Sequence, residues 1–426
     1  MLTAAENELL TRIGPGTRMG NLMRRYWHPV AGVSEMANVW TKRIRILGED
    51  LVLFKDRSGK YGLIGEFCPH RGASLHNGIP QADGIRCPYH GWKFDHAGVC
   101  TDMPNETRHA LKDKKVTEGY PVEELGGLLF AYLGPAPAPL LPRLDGLVAE
   151  GTIRHVGTAV IPCNWLQIME NSVDPVHVEW AHGALYEFIH EAEGLKTSWT
   201  RPHAKIGFDE FEHGIIKRRL LVGQKEDSQD WTVGHPLIFP NALAVGTGGG
   251  EWQQYTFQIR VPVDDTNTKH FWYHAYVPPK GATVPQHLWD HVPVFDVPFI
   301  DKDGNYLIDY VHAQDIMNWV TQGQIAERSR ENLGASDRGL VVYRRMLVRE
   351  IERIEQGHDP INIIRDPAKN KVINLPLEHK GNMVANGFET TLTTHMSSFS
   401  PIAKDLIAVF ASAERKPVRD PQPAAE

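Results

Sequence analysis

Two short segments of the chain each bring a cysteine and a histidine close together. Cys68 and His70 stand in the segment CPHRG, and Cys87 and His90 stand in CPYHGW. Thiolates and imidazoles are metal ligands, and two of each suit a structural zinc ion. The same set suits a [2Fe–2S] centre in which two histidines replace two cysteines on one iron. The two segments therefore predict a metal centre of one of these kinds.

The spacing of the four ligands favours the iron–sulfur centre. Structural zinc sites usually pair cysteine with cysteine and histidine with histidine, a few residues apart. Here each segment holds one cysteine and one histidine. A mixed [2Fe–2S] centre has one all-sulfur iron and one all-nitrogen iron, so each loop must supply one ligand to each iron. Proline and glycine beside the ligands suit tight turns, and zinc remains the alternative.

A second group of candidate ligands follows further along the chain, at Asp174, His177 and His182. Two histidines and a nearby carboxylate suggest a mononuclear non-heme Fe(II) site, which leaves positions open for dioxygen and substrate. Residues five apart on a regular helix point about 140° away from each other. We therefore predict a π-bulge, a break or a bend between the two histidines. Asp174 either caps a helix or orients His177.

The elements around the first group alternate with the period of β-strands. Residues 43–47, 50–54 and 61–67 are predicted strands, and a hairpin follows the second loop. We predict an all-β domain over residues 39–134 that presents both loops at one end. A helical lead-in over residues 1–38 is expected to pack on the second domain, and a Pro-rich linker follows at 135–149.

The second domain is predicted to span residues 150–414. Its segment 189–278 is mostly strand-like, which indicates a central antiparallel sheet with the ligand-bearing helices laid over it. The fold class is therefore α+β, with an all-β domain followed by an α+β domain. Residues 415–426 are charged and Pro-rich, and we predict that they are disordered.

The net charge and the apolar runs of the chain indicate which kinds of binding partner are not expected. The chain has 426 residues, a net charge of −7 and four cysteines. This charge gives no reason to expect nucleic acid or an acidic membrane surface as a partner. No apolar run reaches membrane-spanning length, and the first residues lack the pattern of a Sec-type signal. With two cysteines assigned to the metal centre, Cys100 and Cys163 are expected to be buried thiols in a reducing cytoplasm.

The two ligand groups together resemble a known family. The segments CPHRGASL and CPYHGWKFD are similar to the Rieske motif of aromatic-ring-hydroxylating oxygenase alpha subunits, and the spacing of Asp174, His177 and His182 matches that family's mononuclear iron motif. GPGT-x-MGNLMRRYW and ENLGASDRG narrow the resemblance to the phthalate dioxygenase-like group. It implies a Rieske [2Fe–2S] cluster on the four loop ligands and non-heme Fe(II) on the two later histidines. It also implies that Asp174 bridges from a neighbouring subunit's cluster to the iron.

The third iron ligand is assigned only by this resemblance. The residues alone do not distinguish among several acids in the segment 301–337. In the group, a Gln-Asp pair opening a helix ahead of a segment like QGQIAER carries the ligand, which points to Asp315. The alternative is an aspartate near a helix N-terminus, favoured by the macrodipole.

The resemblance also implies an activity. The protein would be the terminal oxygenase that uses O2 and electrons from a flavin and iron–sulfur reductase with NAD(P)H to oxidise an aromatic carboxylate, by ring dihydroxylation or monooxygenation. An alternative is an O-demethylase of a methoxylated or aryl-ether aromatic acid that releases formaldehyde. A Rieske electron-transfer protein without oxygenase activity is an alternative from another class. The family assembles head to tail, so a homotrimer or a dimer of trimers is expected.

Three consecutive cations suggest where an aromatic carboxylate binds. Lys217, Arg218 and Arg219 lie on a predicted strand, so Arg218 faces opposite to its two neighbours. Arg218 or Arg219 is predicted to anchor the substrate carboxylate, and a solvated basic patch is the alternative.

Overall fold

The computed structural model describes residues 1–108, 110–196, 198, 200–247, 253–378, 392 and 395–412. The strands are β1 (Trp27–Gly32), β2 (Thr41–Ile46), β3 (Glu49–Lys55), β4 (Tyr61–Gly65), β5 (Ile79–Gln81), β6 (Gly84–Arg86), β7 (Lys93–Phe94), β8 (Cys100–Asp102), β9 (Gly119–Tyr120), β10 (Val122–Leu125), β11 (Leu128–Tyr132), β12 (Ile153–Ile161), β13 (His203–Phe211), β14 (Gly214–Leu221), β15 (His235–Ile238), β16 (Ala242–Thr247), β17 (Gln253–Asp264), β18 (Asn267–Val277) and β19 (Val294–Asp296). The α-helices are α1 (Ala4–Thr11), α2 (Arg18–Met23), α3 (Asp145–Val148), α4 (Trp165–Val173), α5 (His177–Glu179), α6 (Leu185–Ala192), α7 (Gln229–Thr232), α8 (His287–Asp290), α9 (Val311–Val320), α10 (Arg338–Glu355) and α11 (Ala403–Ser412).

The N-terminal half is built from small antiparallel sheets, which confirms the predicted all-β domain. One sheet has the strand order β2-β3-β4-β9, a second β5-β6-β7-β8 and a third β1-β11-β10. The alternation that predicts these strands is visible in β2, where Ile44 and Ile46 are buried while Arg43 and Arg45 are exposed. The domain boundaries at residues 38, 134 and 149 remain predictions.

The N-terminal segment begins as the sequence predicts and then departs from it. Thr3 Oγ1 accepts a hydrogen bond from the Glu6 N–H (3.2 Å), and the Glu6 carboxylate accepts one from the Thr3 N–H (2.7 Å), so α1 has the expected capping box. Helices α1 and α2 contact α10. The lead-in is not helical throughout, however, because residues 27–32 form β1 and pair with β11. All six residues of β1 are buried, so the last part of the predicted helical lead-in is instead a strand of the first domain's sheets.

A large sheet of eight strands forms the second domain, in the order β13-β14-β15-β16-β17-β18-β12-β19. It is antiparallel except where β12 pairs with β19, which confirms the predicted class. Its two faces differ, because alternate residues of a strand point to opposite sides. Phe257, Ile259 and Phe271 belong to the main apolar core. Arg260 and His270, paired across β17 and β18, point to the other side.

We call this second side the polar face, and define it by Thr256, Arg260, His270 and His274, all of which are buried. Helix α9 covers part of it, since Trp319 stacks 5.8 Å from the His270 ring. The segment 395–412 covers another part, where Phe410 lies 6.1 Å from Tyr276 of β18. The predicted disordered tail, residues 415–426, lies outside the described residues.

The segment after the first domain is held against the C-terminal part of the chain. Leu140 and Leu144 form isolated bridges to Ile364 and Ile373. Within the described ranges, no helix combines the length and the apolar character needed to cross a membrane.

Candidate metal centres

The two cysteine- and histidine-bearing loops have the same backbone geometry. In the first, the Cys68 N–H donates to the Ala73 carbonyl (2.9 Å) and the Gly72 N–H donates to the Cys68 carbonyl (2.8 Å). The second loop repeats both bonds at the same offsets from Cys87, at 2.8 and 3.1 Å. Gly72 and its counterpart Gly91 have φ values of 73° and 78°, a conformation that glycine adopts without strain. Two equivalent turns therefore present the ligands.

The side chains of the loops separate sulfur from nitrogen. Cys68 and Cys87 are buried, with 2% exposure each. His70 and His90 are half-buried, and their ring centroids lie 4.6 Å apart. Trp92 stacks on His70 at 4.6 Å with an interplanar angle of 4°. The thiols thus lie inside and the imidazoles outside, in the arrangement that a cluster with one all-sulfur and one all-nitrogen iron requires.

The geometry disfavours a single zinc ion at these loops. Ligands of one zinc ion lie about 2.0–2.3 Å from it, so all four must lie within about 4 Å of one another. In the described part of the chain, groups of three or more ligand atoms within 4.8 Å of one another occur at two places only, His177–His182–Asp315 and Asp230–His235–Glu378. The loop ligands are not among them, whereas a two-iron cluster needs only its thiolates to meet and its imidazoles to meet.

The environment of the Cys68 thiol also fits a cationic centre. Burial, together with the neighbouring Cys87 thiol, raises the pKa of the Cys68 thiol to about 11, against the backbone N–H groups of His70 and Arg71. A thiol in this position is protonated without a metal. Those N–H groups are placed to stabilise a thiolate, which forms when a cation displaces the proton.

The second group is assembled by an irregular helix. Helix α5 ends at Glu179, residues Trp180–Ala184 form a π-helix, and α6 continues from Leu185. The wider π turn brings a residue five positions on to the same side as the first, so the irregularity predicted from the spacing is confirmed. His177 Nε2 and His182 Nε2 lie 3.7 and 3.2 Å from Asp315 Oδ1.

Hydrogen bonds fix which nitrogen of each histidine faces Asp315. His177 Nδ1–H donates to the Asp174 carbonyl (2.7 Å), and His182 Nδ1–H donates to Gln314 Oε1 (2.9 Å). The amide of Gln314 is itself oriented, because its Nε2 donates to the Ile308 carbonyl at 2.8 Å. Each histidine is therefore left with Nε2 available as a metal ligand.

The three converging atoms are electron-rich. Burial lowers the pKa of His177 to about 3, so its ring is neutral. Burial raises the pKa of Asp315, but the two histidines outweigh it and hold the pKa at about 2, so the carboxylate is ionised. Burial opposes protonation of His182, and the Asp315 carboxylate outweighs it and raises that pKa. A divalent cation satisfies all three atoms and displaces any such proton, so the residues fit a 2-His-1-carboxylate metal site.

Asp315 lies in the middle of α9 and not in its first turn. Its Oδ1 is buried and has no hydrogen-bond partner among the described residues. Stabilisation of a helix N-terminus therefore does not account for this aspartate.

Asp174 is the C-cap of α4, so the alternative that it caps the start of a helix is not what the structure shows. It ends α4, and its Oδ1 accepts a hydrogen bond from the Val176 N–H at 2.7 Å. Its backbone carbonyl orients His177, while the carboxylate Oδ2 stays 3.7 Å from His177 Nδ1. Burial raises the pKa of this carboxyl. The carboxylate thus lies beside a candidate iron ligand at the surface side of the group.

A cleft of about 480 Å³ opens at this surface. It is lined by Asp174, His177 and Trp180, with Glu331 and Asp337 at its rim. Trp180 is 64% exposed. The cleft is acidic and gives access to the iron-ligand helix from outside.

A buried ion network holds α4 in place. The Glu170 carboxylate accepts hydrogen bonds from Arg328 (2.7 Å) and from Arg344 of α10 (2.6 Å). Glu170 is 6% exposed and Arg328 is fully buried. The network connects the helix that ends at Asp174 to α10, so it fixes the position from which the candidate ligands project.

Arg218 and Arg219, the predicted substrate anchors, bind other residues of the chain. Arg218 Nε donates to Asp209 Oδ2 (2.6 Å), and its Nη1 donates to backbone carbonyls at the end of α7. Arg219 Nε lies 3.2 Å from Asp230 Oδ1. The structure does not bring either arginine into the group of His177, His182 and Asp315, and these contacts do not support the prediction of a substrate contact.

The lysine beside them was not singled out by the sequence. Lys217 is 8% exposed, and burial, with some contribution from Arg219, lowers its pKa to about 8. Its ammonium group has no hydrogen bond or ion pair among the described residues, although Asp174 and His177 lie within electrostatic range. The alternation of the strand was the available signal, since it puts Lys217 opposite to Arg218.

Comparison with known proteins agrees with this geometry. A family model described as "Rieske [2Fe-2S] domain" matches residues 26–121, and one described as "LigXa C-terminal domain like" matches residues 295–374. The first range contains both loops together with β1, and the second contains α9.

Curated relatives match over most of their length. The chain is 41% identical to the 5,5'-dehydrodivanillate O-demethylase oxygenase subunit of Sphingobium sp. (strain NBRC 103272 / SYK-6), over 94% of this chain and 93% of the relative. It is 32% identical to the phthalate 4,5-dioxygenase oxygenase subunit of Pseudomonas putida, over 85% and 89%.

Among solved structures, the oxygenase in the reduced oxygenase–ferredoxin complex of carbazole 1,9a-dioxygenase has the same fold. The TM-score is 0.60 at 19% identity, and the match covers 89% of this chain and 99% of that one. With identity this extensive to the two curated oxygenase subunits, the chain belongs to the Rieske non-heme iron oxygenases, in their phthalate dioxygenase-like group.

Proposed function

We propose that this terminal oxygenase removes a methyl group from a methoxylated aromatic carboxylate and releases formaldehyde. The single observation that carries the choice of reaction is the 41% identity to an O-demethylase oxygenase subunit over 94% of the chain. Ring dihydroxylation of an aromatic acid is the second candidate, favoured by the relationship to a phthalate dioxygenase subunit.

Two buried cations support a carboxylate as the recognised group. Lys217 has no counterion within contact distance among the described residues. Arg260 is 1% exposed, and it donates to the backbone carbonyl (2.9 Å) and side-chain oxygen (2.6 Å) of Gln258, which are neutral acceptors. A buried cation without an ionic partner is unfavourable, and a substrate carboxylate supplies that partner. We propose Lys217 and Arg260 as the carboxylate anchors, in place of Arg218 and Arg219.

The protein's residues would hold both cofactors of the family. We propose that Cys68, His70, Cys87 and His90 hold the Rieske cluster, and that the group of His177, His182 and Asp315 holds the iron. When bound, the cluster supplies single electrons and the iron activates dioxygen. Asp174 and Gln314 orient the two iron-site histidines through their Nδ1 atoms, and the Glu170 network keeps α4 from shifting.

The acidic cleft at Asp174 supports a ring-shaped assembly. We propose that the loop tip of a neighbouring copy enters it, with the outward-facing His70 or His90 near Asp174. Arg71, stacked over Tyr89 at 5.3 Å, gives this tip a positive charge that complements the acidic rim. Such a head-to-tail contact closes into a homotrimer. The electron donor is a flavin and iron–sulfur reductase with NAD(P)H. Two cysteines taken by the cluster and two buried thiols, Cys100 and Cys163, fit a cytoplasmic protein.

Product analysis tests the reaction. The purified holoenzyme is supplied with a matching reductase, NADH, oxygen and a panel of aromatic acids, some of them methoxylated. Formaldehyde in equal amount to a new phenol supports O-demethylation, and the His177→Ala variant should form neither. A cis-diol without formaldehyde contradicts O-demethylation and establishes the second candidate.

Mixing variants tests the assembly. Cys87→Ser removes a cluster ligand and His177→Ala removes an iron ligand, so each variant alone should be inactive. In a mixed trimer, the intact cluster of one chain can serve the intact iron site of its neighbour. Recovery of activity after co-expression supports transfer between chains, whereas complete absence of activity in trimers shown to be mixed contradicts it.

A further inference from the structure

His274 lies on the polar face of the large sheet and makes its contacts through one nitrogen. Gln254 Nε2 lies 2.8 Å from His274 Nδ1 and 3.1 Å from Thr256 Oγ1. The Tyr276 hydroxyl lies 3.0 Å from the same His274 nitrogen. All of these partners come from β17 and β18, so the arrangement is built into the sheet.

These contacts determine the tautomer of His274. An amide nitrogen only donates hydrogen bonds, and Gln254 has one N–H for each of its two partners. Nδ1 of His274 therefore accepts. Burial, with some contribution from His155, keeps the pKa of His274 well below its ordinary value, so the neutral ring carries its single proton on Nε2.

The Nε2–H donor has nothing to bind within the described chain. His274 is 6% exposed, and its Nε2 is buried without a hydrogen-bond partner among the described residues. A buried donor left unsatisfied costs about 1–3 kcal/mol. Such groups are rare in folded proteins and call for an explanation.

The ring is also held rigidly. The hydroxyl of Tyr276, which contacts His274, lies 3.2 Å from His155 Nε2, and His155 Nδ1 lies 2.8 Å from Ser400 Oγ. Both His155 and Ser400 are buried. This chain of hydrogen bonds holds the His274 ring in place through its Nδ1. Only Nε2 is left to bind a partner from outside the described chain.

The donor is on the same side of the sheet as the candidate iron ligands. Trp272, two residues before His274 on β18, lies 5.5 Å from the His312 ring of α9. His312 precedes Asp315 by three residues, which is about one helical turn. The helix that carries Asp315 is therefore packed directly against the polar face on which His274 lies.

We propose that His274 Nε2–H donates a hydrogen bond to a second oxygen of the substrate, one borne on an aromatic ring and distinct from both the methoxy group and the carboxylate. This inference rests on the proposed function and narrows the substrate class to aromatic acids with an additional hydroxyl or carboxylate oxygen. An analogue without that oxygen leaves the donor unpaired, and sites of this kind discriminate strongly against such analogues.

Equilibrium binding tests the inference without depending on turnover. The full-length holoenzyme is titrated by calorimetry with 4-hydroxy-3-methoxybenzoate and with 3-methoxybenzoate, which lacks the ring hydroxyl. The wild type should bind the first acid at least tenfold more tightly. His274→Leu removes the donor and should abolish that preference, with less than about a threefold change for the second acid.

Two further variants separate recognition from folding. His274→Gln keeps an N–H donor near the position of Nε2 and should retain most of the preference. Ser398→Ala alters an exposed serine whose hydroxyl donates to the His395 carbonyl, and it should bind both acids as the wild type does.

The outcomes distinguish this inference from the proposed function. Loss of the preference in His274→Leu alone supports the inference, whether or not formaldehyde is released. Equal affinity of the wild type for the two acids, binding of neither, or equal weakening of both in His274→Leu overturns it. Tight binding of the hydroxylated acid without formaldehyde release contradicts O-demethylation and leaves the role of His274 intact.

Discussion

Replacement of Glu170 by glutamine should loosen α4, the helix that ends at Asp174 just before the candidate iron ligand His177. Glu170 is 6% exposed and balances Arg328, which is fully buried, as well as Arg344. Glutamine has the same shape but no charge, so Glu170→Gln leaves a buried cation without its ionic partner. We expect α4 to open more often, and Asp174 at its end to be held less well.

The expected loss of stability depends on the contacts that Arg328 and Arg344 keep in the Glu170→Gln variant. Breaking a buried ion pair by removing one partner costs about 3–5 kcal/mol. Glutamine keeps one oxygen acceptor, Arg344 keeps Glu331 at 2.8 Å, and Arg328 keeps the side-chain oxygen of Asn7 at 3.0 Å. We therefore expect a loss of about 2–3 kcal/mol, which is about a 30- to 150-fold increase in local opening.

Hydrogen exchange measured by mass spectrometry reports this opening for peptides that cover α4. A matched control is Glu355→Gln, because Glu355 pairs with Arg18 at 2.6 Å but both side chains are about half exposed (45% and 50%). An exposed pair contributes about 0–1 kcal/mol, so the control should exchange within about fivefold of the wild type. If α4 exchanges no faster in Glu170→Gln than in the control, the reasoning about this network is wrong.

The same variant has a defined pH dependence. Burial raises the pKa of Glu170, but the ion pairs with Arg328 and Arg344 outweigh it and lower the pKa below its ordinary value of 4.5. A carboxylate with a depressed pKa contributes stability that is present above pH 4.5 and is lost as the pH falls through the folded-state pKa. The difference between wild type and Glu170→Gln should therefore be full at pH 7 and shrink in acid.

Three further predictions concern the candidate sites. Gln314→Leu removes the acceptor that orients His182, so iron affinity should fall about 10- to 100-fold, measured as iron retained against a chelator. Lys217→Met should raise KM for an aromatic acid about 10- to 100-fold and leave the corresponding neutral amide unchanged within about threefold. Arg218→Gln is the matched control for Lys217→Met, and because Arg218 pairs with Asp209 and the α7 carbonyls it should change KM less than about twofold.

The ligand groups were predictable because their chemistry is local. Each loop needs one cysteine, one histidine and a glycine at positive φ within a few residues. This pattern can be recognised in the sequence without knowledge of the fold. The π-helix was predictable as well, since His177 and His182 are too far apart in sequence to share one face of a regular helix. In both places, the spacing along the chain already contains the geometric requirement.

The positions of Asp315 and of the proposed carboxylate anchors depend on contacts between residues far apart in the chain. Several acids near residue 315 are equivalent by sequence pattern, and only the packing of α9 against the polar face selects one of them. Strand alternation separates Arg218 from Lys217 but does not say which side faces the iron site. The pairing of β14 with its neighbours decides that, and it involves residues far apart in the chain. The same reason explains β1, whose partner β11 lies about a hundred residues away.

The two faces of the large sheet have different roles: one packs in the apolar core, and the other carries polar residues next to α9. Its apolar face is covered by packing, whereas the polar face and α9 leave several buried polar atoms without a partner in the described chain, among them the Asp315 carboxylate oxygen and the His274 Nε2–H. The first requires a cation and the second requires an acceptor oxygen. Because one external group cannot meet both needs, we expect two separate occupants on the same side of the sheet, a metal ion at Asp315 and an oxygen-bearing substrate that reaches His274.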